Sequence, residues 1–313
     1  MDGDAVSIRR KGNPLKKTVF IHTNSKQMAG AIVGKHSLKR NSANPDAFDV
    51  QITVQEDIPV FSEFEGRKFL RGGNWRTWQN ADLQSFTPVR FMPPELMGYE
   101  GRAIVIDPDV FAVGDINELF DRDMEGKSLF AKPRPGHKGH ANYVASSVML
   151  LDCAKLQHWN VKDQFESMFS GDLDYEDWIE LRNEPEGSIG YLESFWNDFD
   201  RLQTDTMLIH NTKRRTQPWK TGLPIDFTNR PNKLLRMLGI SGYKKKGSYL
   251  RHPDPRQEQF FFSLLKECLD TGEITEDQIK AEMAHNHVRH DAFDVMNKVP
   301  AVDLVLDEVR KAA

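Results

Sequence analysis

The sequence predicts an α/β fold, with a mainly parallel sheet flanked by helices and a helical extension at the C-terminal end. Residues 18–22 form a short β-rich run, residues 28–38 place apolar side chains at helical spacing, and residues 48–54 form a second β-rich run. This order of strand, helix and strand is typical of a domain built on a parallel sheet. Two further apolar runs, at residues 103–106 and 144–151, predict buried strands of the same sheet.

The later elements continue this pattern until the chain becomes helical. Gly114 and Asp115 predict a turn, and a short helix follows at residues 116–120. Residues 207–209 predict another strand. Helical patterns then cover residues 257–269, 275–285 and 302–311. The predicted division of the chain is a basic flexible arm at 1–16, an α/β domain at 17–229 and a helical extension at 230–313.

Length and composition are those of an ordinary globular protein and narrow the classes of function. The 313 residues carry a formal net charge of −4, which does not favour a nucleic acid as partner. No stretch reaches the ~18 apolar residues of a membrane span. Residues 1–16 lack the apolar core of a secretory signal. Only two cysteines occur, Cys153 and Cys268, so we expect buried thiols and a cytoplasmic location.

The strongest chemical signal is the acidic pair Asp107-Pro108-Asp109, which directly follows the apolar run at 103–106. In extended backbone, side chains two residues apart point the same way, and Pro108 disfavours helix at Asp107. We therefore expect both carboxylates beyond the carboxyl end of a strand, where open α/β sheets bind ligands. Two adjacent carboxylates favour a hard divalent cation with phosphate oxygens as its other ligands. The alternative is a surface turn, since Asp-Pro-Asp is also a good turn sequence.

A second polar cluster follows the predicted strand at 207–209. His210 ends this strand, and Lys213, Arg214 and Arg215 follow it closely. Together with the acidic pair, this pattern predicts a diphosphate site with a metal on one side and cations on the other. If the segment is extended, Lys213 and Arg215 face the phosphates and Arg214 points away. The alternatives are an ordinary buried histidine and a solvated run of charges.

These motifs resemble glycosyltransferase family 8, the retaining enzymes with a GT-A fold that include glycogenin-like and galactosyltransferase-like members. The resemblance covers roughly residues 17–222 and rests on Val89-Arg90-Phe91, on Asp107-Pro108-Asp109 and on the segment GDINEL at 114–119. It implies a nucleotide-sugar-binding catalytic domain at 17–229. It also implies that Asp107, Asp109 and His210 bind Mn²⁺ or Mg²⁺ and that Arg90 contacts the donor sugar or phosphate during catalysis.

The resemblance also implies further donor contacts. His22, Thr23 and Asn24 fall where the family holds the nucleotide base. Ser146 and Ser147 stand where the family lines the donor sugar with Asn-Ala-Gly, so the identity of the sugar stays open.

Two other family positions differ in this chain. The acidic residue beside the reacting sugar is matched best by Asp177, although a solvated helix acid is the alternative. Gln217 replaces the lysine that precedes the family's Pro-Trp pair, and Lys213 replaces a glycine. We therefore expect Lys213, Arg214 or Arg215 to supply the missing positive charge.

The predicted function is metal-dependent transfer of a sugar from a nucleoside diphosphate sugar, best a UDP-sugar, with retention. The acceptor is a glycan, a protein or a small molecule. Two alternatives stay open: a metal-dependent nucleotidyltransferase, and a non-catalytic relative that binds nucleotide sugars or carbohydrate. The apolar run at Phe260-Phe261-Phe262 predicts packing against the core or against a second subunit of a homo-oligomer.

Overall fold

The computed structural model describes residues 16–82, 85–135, 143–229, 243–244 and 247–311. Its strands are β1 (Lys17–Thr23), β2 (Asp49–Val54), β3 (Lys68–Arg71), β4 (Asn74–Thr77), β5 (Arg102–Ile106), β6 (Val110–Ala112), β7 (Leu129–Arg134), β8 (Tyr143–Asp152), β9 (Ile189–Tyr191), β10 (Asp198–Phe199), β11 (Leu208–His210), β12 (Thr228–Asn229) and β13 (Tyr243–Lys244). Its α-helices are α1 (Met28–Arg40), α2 (Pro59–Glu63), α3 (Pro93–Leu96), α4 (Ile116–Phe120), α5 (Val161–Ser170), α6 (Tyr175–Ile179), α7 (Pro255–Asp270), α8 (Glu276–Ala284), α9 (Ala292–Met296) and α10 (Val302–Lys311).

The central sheet has six strands in the order β2-β1-β5-β8-β7-β9. β1 is parallel to β2 and β5, β7 is parallel to β9, and β8 runs antiparallel to both of its neighbours. The prediction of an α/β fold with a mainly parallel sheet is confirmed. The runs at 18–21, 103–106 and 144–151 lie, as predicted, in adjacent strands of one sheet.

The strands of the sheet centre bury side chains on both faces, because each face is covered by other elements. Phe20 and Val105 belong to a core on one face, which α5, α6 and the β3–β4 hairpin also build. Ile21 and Ile104 belong to a core on the other face, together with α1 and α4. Neighbouring residues of β1 and of β5 thus point to opposite faces of the sheet, as the pleat of a strand requires.

The first of these cores is rich in aromatic rings. Phe165 of α5 lies with its ring centroid 4.9 Å from that of Trp78 and 5.0 Å from that of Phe61. Phe91 packs between Trp159 and Trp178, at 4.8 and 4.7 Å. The packing of Phe91 fixes the 3-10 turn Thr87–Phe91, and that turn carries Arg90 to the carboxyl edge of the sheet.

The C-terminal helices pack on the outer side of α1. Their core contains Phe261, which stacks on Trp219 at 4.7 Å, and Phe111 of β6. The three helices predicted beyond residue 257 are confirmed as α7, α8 and α10. The Phe260-Phe261-Phe262 run is buried within the chain itself, so of the two predicted partners it packs against the core.

Some predictions fall on residues outside the described ones. These include residues 1–15 of the predicted arm and residues 230–242 at the predicted start of the helical extension. The division into three parts therefore stays a prediction. Cys153 and Cys268 are buried free thiols, and burial raises the pKa of Cys153 to about 12. No described helix is both long enough and apolar enough to cross a membrane.

A second, smaller sheet connects the two polar clusters of the sequence. Its order is β10-β11-β6, and β11 runs antiparallel to β6, with His210 paired to Val110. Because β6 begins directly after Asp109, this pairing brings His210 beside the acidic pair. The predicted strand at 207–209 is thus β11, in the small sheet.

Candidate functional site

A cavity of about 250 Å³ lies at the carboxyl edge of the central sheet. Asp107 and Asp109 lie in its wall where β5 ends, and His210 lies in its wall where β11 ends. The antiparallel strand β8 enters the sheet at the same edge and contributes Ser146 and Ser147. The structure therefore brings the acidic pair, the predicted histidine and the predicted serines into one cavity.

The acidic pair is held in a tight turn against α1. The Asp107 N–H donates to the Ser147 carbonyl at 3.1 Å, and the Val110 N–H donates to the Asp107 carbonyl at 3.2 Å. A Cβ atom added at Gly30 of α1 would lie 2.4 Å from the carbonyl oxygen of Pro108. Only glycine therefore allows α1 to approach the turn this closely.

Asp107 is a buried carboxylate that is held by Arg90 and His22. Arg90 donates to it through Nη2, at 2.7 Å to Oδ1 and 2.5 Å to Oδ2. His22 donates to Oδ1 through Nε2 at 2.5 Å. Burial by itself would raise the pKa of Asp107, but the charge of Arg90 and the contact with His22 outweigh it and hold that pKa well below its usual range.

The structure places His22 behind Asp107, and its expected role as a base contact stays a prediction. Its ring is buried and is absent from the cavity wall. Burial lowers the pKa of His22 despite the adjacent carboxylate, so the imidazole is neutral and serves to hold Asp107. Thr23 and Asn24 are also buried and lie outside the cavity wall, and their contact with a base stays a prediction.

Asp109 connects the two strand ends. Its Oδ1 lies 3.2 Å from His210 Nε2, and its Oδ2 accepts from Gln217 Nε2 at 3.0 Å. Its backbone carbonyl accepts from the Asn211 N–H at 3.0 Å. Gln217, noted in the sequence only as a replacement for lysine, therefore positions a carboxylate in this chain.

Asn197 orients His210, and sequence analysis missed it. The Nδ1–H of His210 donates to Asn197 Oδ1 at 2.9 Å, and Asn197 Nδ2 donates to Ser147 Oγ at 3.0 Å. Asn197 is fully buried, so these bonds replace its contacts with water. A single asparagine at the end of the 3-10 turn Ser194–Asn197 offers no periodic signal that would have identified it.

This hydrogen bond leaves His210 Nε2 facing Asp109 Oδ1 and, at 3.9 Å, Asp107 Oδ2. The lone pair of His210 Nε2 and the two carboxylates repel one another, so a cation is required between them. This cation is either a proton or a metal ion. Burial disfavours the proton, but the Asp109 carboxylate outweighs burial and raises the pKa of His210.

The ligand atoms of Asp107, Asp109 and His210 lie within 4.8 Å of one another. Two carboxylates and one imidazole fit Mn²⁺, or Mg²⁺, and leave further positions for phosphate oxygens.

The basic segment is not extended, which corrects the expected orientation of its side chains. It forms the 3-10 turn Arg214–Thr216, and Arg214 lies in the cavity wall whereas Lys213 and Arg215 are exposed. Lys220 is buried and pairs with Asp226 at 2.5 Å, away from the cavity.

Asp177 lies outside the cavity wall. Its side chain is 51% exposed and lies 3.7 Å from Arg182. Ile179 and Glu180, just beyond it, are in the wall instead. Helix α6 ends at Ile179, Glu180 caps its C-terminal end, and Leu181 follows in left-handed backbone with φ of 57°. The sequence contains an acidic residue at both positions, and only the end of the helix decides which one faces inward.

The remaining predicted residues are held within the wall. Ser146 Oγ accepts from Arg90 Nη1 at 3.0 Å and donates to the Ile179 carbonyl at 2.6 Å. Ser147 Oγ accepts from Asn197, as described. Arg90 thus joins Asp107 to β8, so the acidic pair and the serine wall form one connected network.

Comparison with known proteins places this chain among weakly similar structures. Neither a protein-family model nor a curated protein matches it. The glycosyltransferase GlyE of Streptococcus pneumoniae TIGR4 is 16% identical with a TM-score of 0.47, over 83% of this chain and 64% of GlyE, so this chain spans less than two thirds of GlyE. The galactosyltransferase LgtC, solved with donor and acceptor sugar analogues, is 16% identical with a TM-score of 0.42, over 72% of this chain and 95% of LgtC. Mouse xyloside xylosyltransferase 1 is 12% identical with a TM-score of 0.43, over 65% of this chain and 99% of the other. Each of these TM-scores is below 0.5, so the similarities carry no conclusion about function.

Proposed function

We propose that this protein is a metal-dependent glycosyltransferase that takes a sugar from a UDP-sugar and transfers it with retention. The observation that carries the proposal is the cluster of Asp107, Asp109 and His210 in a cavity at the carboxyl edge of the sheet. The mainly parallel sheet and the position of the acidic pair support the resemblance to GT-A enzymes of family 8.

In this proposal, Asp109 and His210 hold Mn²⁺ or Mg²⁺, with Asp107 as the third ligand. When bound, the metal neutralises negative charge on the diphosphate as it leaves. Arg214 replaces the predicted pair Lys213 and Arg215 as the cation on the other side of the diphosphate, because it lies in the cavity wall. Charge on the leaving group is then compensated from both sides.

Arg90 has a positioning role before the reaction. Its guanidinium donates to both oxygens of Asp107 and to Ser146 Oγ, so the acid and the sugar-side wall are fixed relative to each other. Such preorganisation lowers the reorganisation needed in the transition state. Ser146 and Ser147 lie where the donor sugar is expected, and their hydroxyl groups belong to the polar part of that wall.

The transfer itself exchanges one bond of the anomeric carbon for another. The bond to the β-phosphate oxygen breaks, and its electron pair leaves with the nucleoside diphosphate. An acceptor hydroxyl oxygen forms the new bond on the same face, and its proton passes to an oxygen of the departing phosphate. Asp177 lies outside the cavity, and the departing phosphate is the base in this proposal.

A hydrolysis assay separates this function from its alternatives. UDP-glucose, UDP-galactose, UDP-N-acetylglucosamine and GDP-mannose are incubated with the protein, with and without Mn²⁺, and the release of UDP or GDP is measured. We expect metal-dependent release from a UDP-sugar, abolished in Asp109→Asn. Pyrophosphate release from a nucleoside triphosphate and a sugar phosphate would indicate a nucleotidyltransferase. Binding of UDP-sugar without release in either assay would indicate the non-catalytic relative.

A further inference from the structure

A second cavity, of about 480 Å³, adjoins the first at the β7–β9 side of the sheet. The two cavities share the residues Arg134, Tyr143, Val144 and Glu180 in their walls, so they lie side by side. The volume lies in the ~300–1,000 Å³ range of small-molecule sites.

The shared wall offers a cation that has no carboxylate partner among the described residues. The guanidinium of Arg134 lies 4.8 Å from the ring centroid of Phe199 and 5.6 Å from that of Tyr143. These rings orient the guanidinium, which belongs to the wall of both cavities.

The same wall offers a hydrogen-bond acceptor. Arg182 binds a single oxygen of Glu180, with Nε at 2.7 Å and Nη2 at 2.6 Å from Oε2. Within the described part of the chain, Glu180 Oε1 accepts no hydrogen bond. A donor such as a hydroxyl group would therefore complete the coordination of this carboxylate.

An exposed aromatic ring stands at the rim of the second cavity. Tyr191 is 64% exposed and lies on β9, at the edge of the central sheet. Pro133 and Pro135 form an apolar part of the same wall. The cavity thus combines flat apolar surface with a fixed cation and a fixed acceptor.

We infer that the second cavity binds the acceptor of the transfer and that this acceptor is a carbohydrate. A sugar ring has an apolar face of C–H groups, which fits Tyr191, and a rim of hydroxyl groups, which fits Glu180 Oε1 and Arg134. A lipid chain would bury Arg134 and Glu180 Oε1 without hydrogen-bond partners, at a large cost in binding free energy. The inference rests on the proposed function, because it needs a donor sugar in the first cavity, which adjoins the second.

The test uses the full chain, fluorescently labelled, on an array of immobilised glycans in the presence of UDP and Mn²⁺. We expect binding to a related group of glycans. Tyr191→Ala should weaken this binding by about tenfold, because it removes the aromatic surface. The matched control is Trp75→Ala, which removes another exposed ring that lines neither cavity. It should leave glycan binding unchanged.

Calorimetry of UDP with Mn²⁺ on the same proteins distinguishes the two proposals. If UDP and Mn²⁺ bind but no glycan does, or if glycan binding is equal in Tyr191→Ala, the carbohydrate site is refuted while the proposed function stands. If UDP and Mn²⁺ do not bind to the unaltered protein, the proposed function fails, and with it the assignment of the second cavity to an acceptor. Arg134→Ala supplies a second variant, on an exposed side chain, in which we expect the same loss of glycan binding.

Discussion

The ends of β5 and β11 supply the two halves of the candidate site, and they are held in different ways. β5 lies in the centre of the large sheet, between β1 and β8, and Asp107 at its end has both Arg90 and His22 as partners. β11 lies in a small sheet, and His210 at its end is oriented through a single side chain, Asn197. The β5 half of the site, with Asp107, is therefore held by two side chains. The β11 half, with His210, is oriented by one.

Asp109 belongs to both halves, so its replacement is expected to have the largest effect. Asp109→Asn removes a metal ligand and the charge that faces His210, and Mn²⁺ binding in the presence of UDP should weaken about a hundredfold. Isothermal calorimetry measures the change. The matched control is Asp205→Asn, on an exposed acid outside the cavity, which should bind like the unaltered protein. Equal affinity in Asp109→Asn would remove this aspartate from the metal site.

Asn197→Ala tests the single support of the β11 half. Loss of the hydrogen bond to Nδ1 frees the ring of His210 to turn, and Mn²⁺ affinity should fall by roughly ten- to a hundredfold, as is usual for such supports of metal-binding histidines. Electron paramagnetic resonance of free Mn²⁺ gives the affinity. Ser147→Ala is the control, since Asn197 keeps its bond to His210 and affinity should change much less. A drop in melting temperature without a drop in affinity would show that Asn197 serves the fold alone.

Arg214→Ala tests which cation of the β11 half faces the diphosphate. A charge-assisted contact contributes ~1.5–3 kcal/mol, so UDP should bind roughly ten- to a hundredfold more weakly. Lys213→Ala and Arg215→Ala, which remove neighbouring exposed cations, are the controls and should bind UDP nearly normally. If all three variants bind alike, the segment is a solvated run of charges and the diphosphate is held elsewhere.

The pH dependence of metal binding gives a smaller and continuous effect. The metal needs the lone pair of His210 Nε2, and the Asp109 carboxylate raises the pKa of His210 in the metal-free protein despite burial. Protons therefore compete with the metal from a higher pH than they would for an ordinary histidine. Mn²⁺ affinity should be constant above that raised pKa and fall by up to about tenfold per pH unit below it. A titration of Mn²⁺ affinity that is flat between about pH 8 and about pH 6 would show that His210 is not a ligand.

The apolar runs predicted four of the six strands of the central sheet, β1, β2, β5 and β8, because a buried strand requires apolar residues along its length. The strands β7 and β9 on one side of this sheet were not predicted. The same runs predicted where the Asp107-Pro108-Asp109 pair and His210 would lie, since a side chain directly after a strand stays at the edge of the sheet. The short hairpin of β3 and β4 was not predicted, and α5 was also missed, because neither segment stood out among the polar residues around it.

The residue sequence by itself determined the α/β class, the acidic pair that follows β5 and the histidine at the end of β11. Only the tertiary structure decided that Arg90 and His22 hold Asp107 and that Asn197 orients His210. It also decided that Arg214 and Glu180 face the cavity in place of the cations and the acid expected there. The physical reason is the difference between strands and turns. A strand alternates its side chains regularly, so position along the chain predicts direction. A 3-10 turn or a helix end sets direction through its own dihedral angles and through contacts between residues far apart in the chain.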